Sequence, residues 1–506
     1  MEVYNNHNMF AIGEVFPPQA HMDRVLRCKQ NKMLFKGFHT EVFHKNHTLP
    51  NRIKDTLYIS VNLTGIICKK SADFLFGEEI KVTAGLGDNT KEQQMLDRIV
   101  ENNHLGILLY ESALSNSYAG DSFIKIRYGQ EYGGELPKEL DEHRVIIENL
   151  SPEFVYPETV VWNKNKIKVF HVATPYYDDS KKKWFLNVES HSAGQIFYHT
   201  YTLTPLYHNV LGEVERWDID GVVEDSFQVV KTGVPMPLVV HIPNLAVADE
   251  WQGIDDITEL HPLIDEINNR ISQIAEILDA HANPGMAVPS GLLGADEDGV
   301  PQFRVAIDKV FEVMGKDDII PQYITWNGQL SEAFNELDRL IDLVLTTSEI
   351  PAVALGRGDS GTSGSSGLAI KWRMNSLLAK INRKRQYYNK GLKQIFYIAQ
   401  MLEQAVGIAD YDIIVPNIVF NDGLPIDEME QANITSIRTG GAITMSQKTA
   451  IMKLNNMTEE QAEAELERIK AEEEAKQPVA EPSIFNEEED TFKFPVEEDE
   501  EATETE

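Results

Sequence analysis

Residues 257–281 impose the tightest constraint on the fold. Ile257, Leu260, Ile264, Ile267, Ile271, Ile274, Leu278 and His281 recur at intervals of 3, 4, 3, 4, 3, 4 and 3. A repeat averaging 3.5 residues draws a narrow apolar seam along an α-helix, and such a helix packs lengthwise against other helices. Pro262 marks either the first turn of this helix or a kink in an earlier start. Asn283-Pro284-Gly285 ends the run. Leu330, Phe334, Leu337, Ile341 and Val344, at intervals of 4, 3, 4 and 3, predict a second seam helix. Residues 284–328, rich in Gly and Pro with short Val, Phe and Ile runs, predict a small insertion of strands and turns. Two matched helices around a small module predict a stalk with a tip.

The segment after the second seam has a different composition. Ser348-Glu349-Ile350-Pro351 leads into Leu355-Gly356-Arg357-Gly358-Asp359-Ser360-Gly361-Thr362-Ser363-Gly364, where Gly alternates with Ser and Thr. This predicts a flexible loop. A long helix is expected over 366–406, with Gly391 marking a bend or a close packing contact. From Gly361 to Leu402 there is no acid, against eight bases that include Lys371, Arg373, Lys380, Arg383 and Lys384. The whole chain holds 46 Lys and Arg against 80 Asp and Glu, a formal charge of −34, so the local contrast is strong. Two readings stay open: a phosphate-facing helix, or a helix that adheres to acidic faces of neighbouring subunits.

Upstream, residues 1–54 are polar and His-rich and predict a loosely held arm. Helices are expected over 62–76 and 91–118. Phe123-Ile124-Lys125-Ile126-Arg127-Tyr128 alternates as a half-buried strand, and residues 144–245 read as closely spaced strands in antiparallel hairpins. Downstream, short helices are expected over 428–439, 446–454 and 458–475, the last opened by the capping box Thr458-Glu459-Glu460-Gln461. Residues 471–506 hold fifteen acids and two lysines. Their far end, 476–506, reads as a disordered acidic tail in which Phe485, Phe492 and Phe494 are candidate anchors.

Composition and motifs exclude several classes. At 506 residues the length admits two to four domains, and 42% hydrophobic with 25% charged residues is globular. An acidic chain is a poor groove-reading DNA binder, because affinity for phosphate comes from Lys and Arg. Cys28 and Cys68 are isolated and point to a reducing compartment. No signal peptide and no membrane span are expected, and Asn46 and Asn62 in sequon context are read as chance. His39, His44 and His47 lack a completing set of ligands, so no metal is expected. Gly356-Arg357-Gly358-Asp359-Ser360-Gly361 matches G-x-G-x-x-G, but a helix precedes it and no acid follows at the right distance. Neither a P-loop nor a nucleophile elbow, zinc motif or catalytic triad occurs, so no catalytic residue and no cofactor are assigned.

The order of elements resembles the portal proteins of tailed bacteriophages. Leu63 to Val82, with its Phe76-Gly77 turn, resembles the family's early helix and following strand. Gly120-Asp121-Ser122-Phe123-Ile124-Lys125-Ile126 resembles its Gly-Asp strand. Leu150-Ser151-Pro152-Glu153-Phe154-Val155-Tyr156-Pro157 resembles its Pro-x-x-Val-x-Pro stretch. Ser348-Glu349-Ile350-Pro351 through Ser366-Gly367-Leu368-Ala369-Ile370-Lys371 resembles its Ile-Pro…Ser-Gly-x-Ala-x-Lys stretch, and Gly423-Leu424-Pro425 with the final Glu-rich helix resembles its C-terminal part.

The resemblance implies an α+β portal-type fold. It would comprise an α/β wing (55–254), stem helices (255–282 and 330–347) around a strand-containing clip (283–329), and a tunnel loop (348–366). A long wing helix and return (367–420) and a helical crown (421–475) would follow. It implies a homo-oligomeric ring, usually of twelve subunits, at one capsid vertex of a virion assembled in the bacterial cytoplasm. Double-stranded DNA would pass through the ring. The terminase large subunit, a head-completion or adaptor protein, and the major capsid and scaffolding proteins would be partners. Leu355, Gly356, Arg357, Gly358, Asp359, Ser360, Thr362 and Ser363 would face DNA. Arg357 would touch phosphate, or pair with Asp359 or a neighbour's acid. Ile264, Ile267, Ile271, Ile274, Leu337 and Ile341 would form the stem seam between subunits. The alternatives are a capsid or baseplate scaffold protein that never touches DNA, and a cytosolic enzyme with the Gly-rich loop as phosphate cradle.

Overall fold

The computed structural model describes residues 9–44, 58–85, 90–133, 135–137, 139–209, 212–282, 286–287, 294–295, 301–302, 322–323, 330–357, 367–421, 428–440, 443–455, 457 and 459–476. The chain divides into two compact units, 1–424 and 425–506.

In the first unit, β1 (Val15–Phe16), α1 (Met22–Lys36), α2 (Leu63–Phe76), β2 (Lys81–Thr83), α3 (Lys91–Asn102) and α4 (Leu105–Ala119) precede the sheets. Strands β3 (Asp121–Gly129), β4 (Arg144–Leu150), β5 (Val155–Val160), β6 (Asn163–Asp178), β7 (Lys183–Ser192), β8 (Gln195–His208), β9 (Val214–Val222), β10 (Gln228–Lys231) and β11 (Val239–Pro243) follow. Next come α5 (His261–Ala282), the short strands β12 (Met286–Ala287), β13 (Gly294–Ala295), β14 (Pro301–Gln302) and β15 (Gln322–Tyr323), and α6 (Leu330–Thr347). The unit closes with α7 (Gly367–Arg373), α8 (Asn375–Val406) and β16 (Asn417–Val419). The second unit holds α9 (Glu428–Gly440), α10 (Gln447–Asn455) and α11 (Glu459–Lys476). Thr458 of the expected capping box lies outside the described residues.

The larger sheet runs β1-β9-β8-β7-β6-β5, with β10 also on β8; every pairing is antiparallel, as the close hairpin spacing predicts. A smaller sheet, β11-β3-β4, carries the helices. The main core joins α2, α3, α4 and α8 to this sheet through Cys68, Leu96, Leu109, Ile124, Ile242, Leu392 and Phe396. A second core in the larger sheet centres on Phe16, Tyr156, Leu186 and Trp217.

Three expectations change. Residues 9–44 of the supposed loose arm are built into the body. Helix α1 buries Val25, Cys28 and Leu34, β1 pairs with β9, and Phe10 and Phe16 pack edge-on to Tyr156. Arg24, 6% exposed, donates to the carbonyls of Pro152 and Val155 at 2.7 Å each, bridging α1 to the start of β5. The apolar positions of α1 are interleaved with Arg, Lys, Gln and Asn, so its periodicity is faint in the sequence.

The expected helix over 91–118 is two. His104 adopts a left-handed backbone (φ 45°), and the Asn103 amide donates to Ile99 O and Val145 O while its oxygen accepts from Ile147 N. That side chain takes over backbone partners and turns α4 away from α3. The long helix over 366–406 is interrupted at Met374, whose side chain is 4% exposed and enters the main core. Gly391 is a packing contact: a Cβ there would lie 2.6 Å from the Ile242 side chain.

Gly120 (φ 84°), the residue before β3, faces Gly253 backbone to backbone. A Cβ on Gly120 would sit 2.4 Å from Gly253 O, and one on Gly253 would sit 2.0 Å from Gly120 O. This contact seats the segment leading into α5 against the end of α4. Gly120→Ala combines a disfavoured φ with a backbone clash. It is expected to cost about 2–3 kcal/mol, read as a lower thermal midpoint, and an unchanged midpoint contradicts the reading.

Candidate functional site: the base of the α5/α6 pair and the root of the glycine loop

Ile257 and Leu260 precede α5 in a single turn, and Pro262 lies in the first turn of the helix, not at a kink. Asp255 Oδ1 accepts from the Ile257 and Thr258 amides at 3.0 and 2.6 Å, fixing that turn. Ile264, Ile267 and Ile274 are buried, as is Val344 of α6; Ile271, Leu337 and Ile341 are half-buried against the same core. Arg270 of α5 reaches Glu336 of α6 at 2.8 Å. The residues entering α5 and those leaving α6 line one cleft of about 190 Å³, so the helices run antiparallel. The inner part of the seam is thus consumed within the subunit, which corrects the expectation that Ile264 and Ile267 pack on neighbouring copies. Leu278, Phe334 and Leu343 stay 48%, 48% and 38% exposed.

One face of α8 grips both ends of this pair. Lys380, Arg383 and Lys384, at i, i+3 and i+4, share a side of the helix. Lys380 and Lys384 reach the Asp256 carboxylate at 3.1 and 2.5 Å, and all three side chains are at most 8% exposed. Asp256 also accepts from the Ser117 hydroxyl at 2.5 Å and the Asn244 amide at 3.0 Å. Lys380 donates to Ser348 O at 3.0 Å, and Arg383 forks onto both oxygens of Glu349 at 2.6 Å each. Asp256 precedes α5; Ser348 and Glu349 follow α6. Burial alone pushes the Asp256 carboxyl up. The ammonium groups of Lys380 and Lys384, with hydrogen bonds from Lys384 and Ser117, outweigh that and hold it well below the usual carboxylate range. Burial pushes the Lys384 ammonium down, and Asp256 opposes the shift.

The loop is rooted on this cluster. Ser348 and Ile350 are buried, Glu349 has φ 60°, and a tight turn at Ala352–Leu355 ends on Gly356 at φ 70°. Leu355 is half-buried; Gly356 and Arg357 are exposed. The Arg357 guanidinium lies 3.9 Å from Asp338 of α6, a different partner from the expected Asp359. Gly358, Asp359, Ser360, Thr362 and Ser363 lie outside the described residues.

The bases of α7 and α8 therefore do not act as one patch. Lys380 and Lys384 are committed to a buried carboxylate of their own subunit, which removes both from the expected DNA-facing or intersubunit role. Arg385 donates to Phe74 O and to Asn421 O and lies over the Phe420 ring. Lys371 and Arg373 are exposed and have no acidic partner among the described residues; Trp372 between them is 72% exposed. Sequence reasoning missed Asp256 and Glu349, because among 80 acids nothing distinguishes them before their lysine and arginine partners are placed. His39 is buried, within 3.5 Å of Asn62 and Thr64 and 3.3 Å of Asn268. Among the described residues no group of three His, Cys, Asp or Glu is placed to hold a metal. His47 lies outside them.

The pattern of the phage portal protein family, SPP1 Gp6-like, matches residues 18–479, and the chain belongs to that family. Its role is that of a phage portal protein, a structural component of the capsid vertex. No individual curated protein matches the chain.

Asp256→Asn would leave Lys380 and Lys384 buried without their carboxylate, and is expected to lower stability by about 3–5 kcal/mol. Arg383→Ala removes a partly exposed pair and should cost about 0–1 kcal/mol. Thermal and urea midpoints of the two variants check the order; equal losses contradict the clamp.

Proposed function

We propose that copies of this chain close into a ring whose central channel carries double-stranded DNA during packaging and ejection. The observation that carries the reading is the glycine loop rooted at one end of an acidic antiparallel helix pair, in a chain that belongs to the portal family. In this reading residues 55–254 form the wing, α5 and α6 the stem, 283–329 the clip and 348–366 the tunnel loop. Residues 367–420 return to the wing, 421–475 form the crown and 476–506 the acidic tail. The terminase large subunit and the head-completion protein bind at the clip, and the capsid and scaffolding proteins surround the ring.

Helices α5 and α6 together contain eight acids and two arginines. Duplex DNA presents one charge per about 1.7 Å of axis, so a wall of that sign keeps contacts weak and lets the duplex slide. Leu278, Phe334 and Leu343, exposed in one subunit, supply the stem contacts between neighbours. Lys371 and Arg373, exposed, without an acidic partner among the described residues and close after the loop in the chain, supply the phosphate contacts in place of Lys380 and Lys384.

Deleting residues 356–364 should leave rings visible by electron microscopy while packaging, or retention of packaged DNA, fails. Normal packaging by the deletion variant would favour a scaffold that never touches DNA.

Lys371→Glu with Arg373→Glu should leave rings intact and lower the salt slope of DNA association by roughly two, at about 0.9 per phosphate contact. An unaltered slope contradicts the assignment.

A further inference from the structure

We infer that the two sides of the larger sheet form a complementary, head-to-tail contact between copies of this chain. The inference rests on the ring reading above. The register places both surfaces on one row across the sheet. Phe170 of β6 pairs with His191 of β7, His191 with Ile196 of β8, and Ile196 with Val230 of β10. On one side β6 continues past this row, from Val169 back to Asn163, paired only with β5, so the β5–β6 hairpin overhangs the sheet. On the other side β10 and the end of β9 form the boundary beside β8.

The two surfaces differ in charge and both expose apolar groups. The overhang carries Lys164, Lys166 and Lys168, all exposed; Lys168 lies 3.5 Å from Glu158 of β5, and residues 159–168 contain no acid. At its tip Val161 and Trp162 are 94% and 87% exposed. In the opposite surface, beyond the part of β9 that β1 covers at Trp217 and Asp218, residues 219–230 contain Asp220, Glu224 and Asp225 and no base, and the exposed Lys231 ends β10. None of these three pairs with a Lys or Arg among the described residues; Asp220 accepts from the Thr204 hydroxyl at 2.6 Å. Between them Val222, Phe227, Val229 and Val230 are 46%, 41%, 38% and 46% exposed.

The occupant of each surface is therefore the opposite surface of a second copy. Trp162 and Val161 cover the valines of β10, while Lys164 and Lys166 meet the carboxylates around them. The contact joins two different patches on different sides of one sheet, so it is heterologous when each copy offers its hairpin to one neighbour and its edge to another. After one contact one copy keeps a free acidic edge and its neighbour a free hairpin, and repetition yields a ring or an open chain. It also explains how subunits that repel one another through a net charge of −34 can adhere: the contact is made where the local charges are opposite.

The test is mass photometry of the purified full chain, wild type and variants, at about 150 mM salt, where exposed charges still interact over roughly 8 Å. Lys164→Glu with Lys166→Glu, and separately Asp220→Lys with Glu224→Lys, should each cut ring yield about tenfold with unchanged thermal midpoints. The equimolar mixture should recover rings, because each reversed surface then meets a reversed partner. Trp162→Ala should lower ring yield without altering its salt dependence. Wild-type rings with full ring yield in both charge variants, or a mixture that fails to recover, overturn this contact and leave the ring reading standing. A wild-type chain that stays monomeric overturns both.

Discussion

Two lysines and one carboxylate, sealed from water, join α8 to the start of α5 and the end of α6 within the first unit. Asp256 stands at the start of α5, Lys380 and Lys384 lie on α8, and Lys380 also ties down Ser348 at the end of α6. Burying three charges is costly, and the cost is offset only because Ser117, Asn244 and Ser348 satisfy the remaining hydrogen-bonding capacity. Apolar residues of similar volume would pack there at lower cost. What the ions add is geometric definition: the lysine pair accepts one arrangement of the two helix ends. The loop that begins at Ser348 inherits its position from that arrangement. The outer Arg383–Glu349 pair, open to water, trims the geometry at little energetic consequence.

This arrangement also reinterprets the charge contrast along the chain. A run of eight bases with no acid suggests a single electrostatic surface, yet helical spacing sorts it. Positions 380 and 384 turn inward to an acid more than a hundred residues earlier, Arg385 caps backbone carbonyls, and Lys371 and Arg373 remain in solvent. In the proposed ring the excess of acid elsewhere belongs to the outer and channel-facing surfaces. Adhesion between such bodies depends on local opposite charge rather than on net charge.

Much of the architecture was legible in the sequence because it depends on local periodicity. The 3–4 spacing from Ile257 onward gave α5, the 4–3 spacing from Leu330 gave α6, and the alternation from Phe123 to Tyr128 gave β3. The order of elements led to the portal family, whose pattern covers residues 18–479. What could not be read were features fixed by partners distant in the chain. Helix α1 is held by Arg24 reaching Pro152 and Val155, the break at His104 is set by Asn103 bonding into β4, and Asp256 is defined by α8. The inward half of the seam was misassigned for the same reason: periodicity reports that a stripe is buried, not which surface buries it.

Within the proposed ring, these features divide the labour. The clamp sets where the loop starts, the acidic helices keep DNA from adhering, and the sheet edges join the copies. The most direct measurement is a cryo-electron microscopy map of the purified assembled chain. The account predicts a closed annulus whose bore is lined by α5, α6 and the loop after Gly356, with Lys380 and Lys384 inside each subunit on Asp256. A compact particle without a bore, or a bore lined by Lys380 and Lys384, would contradict it.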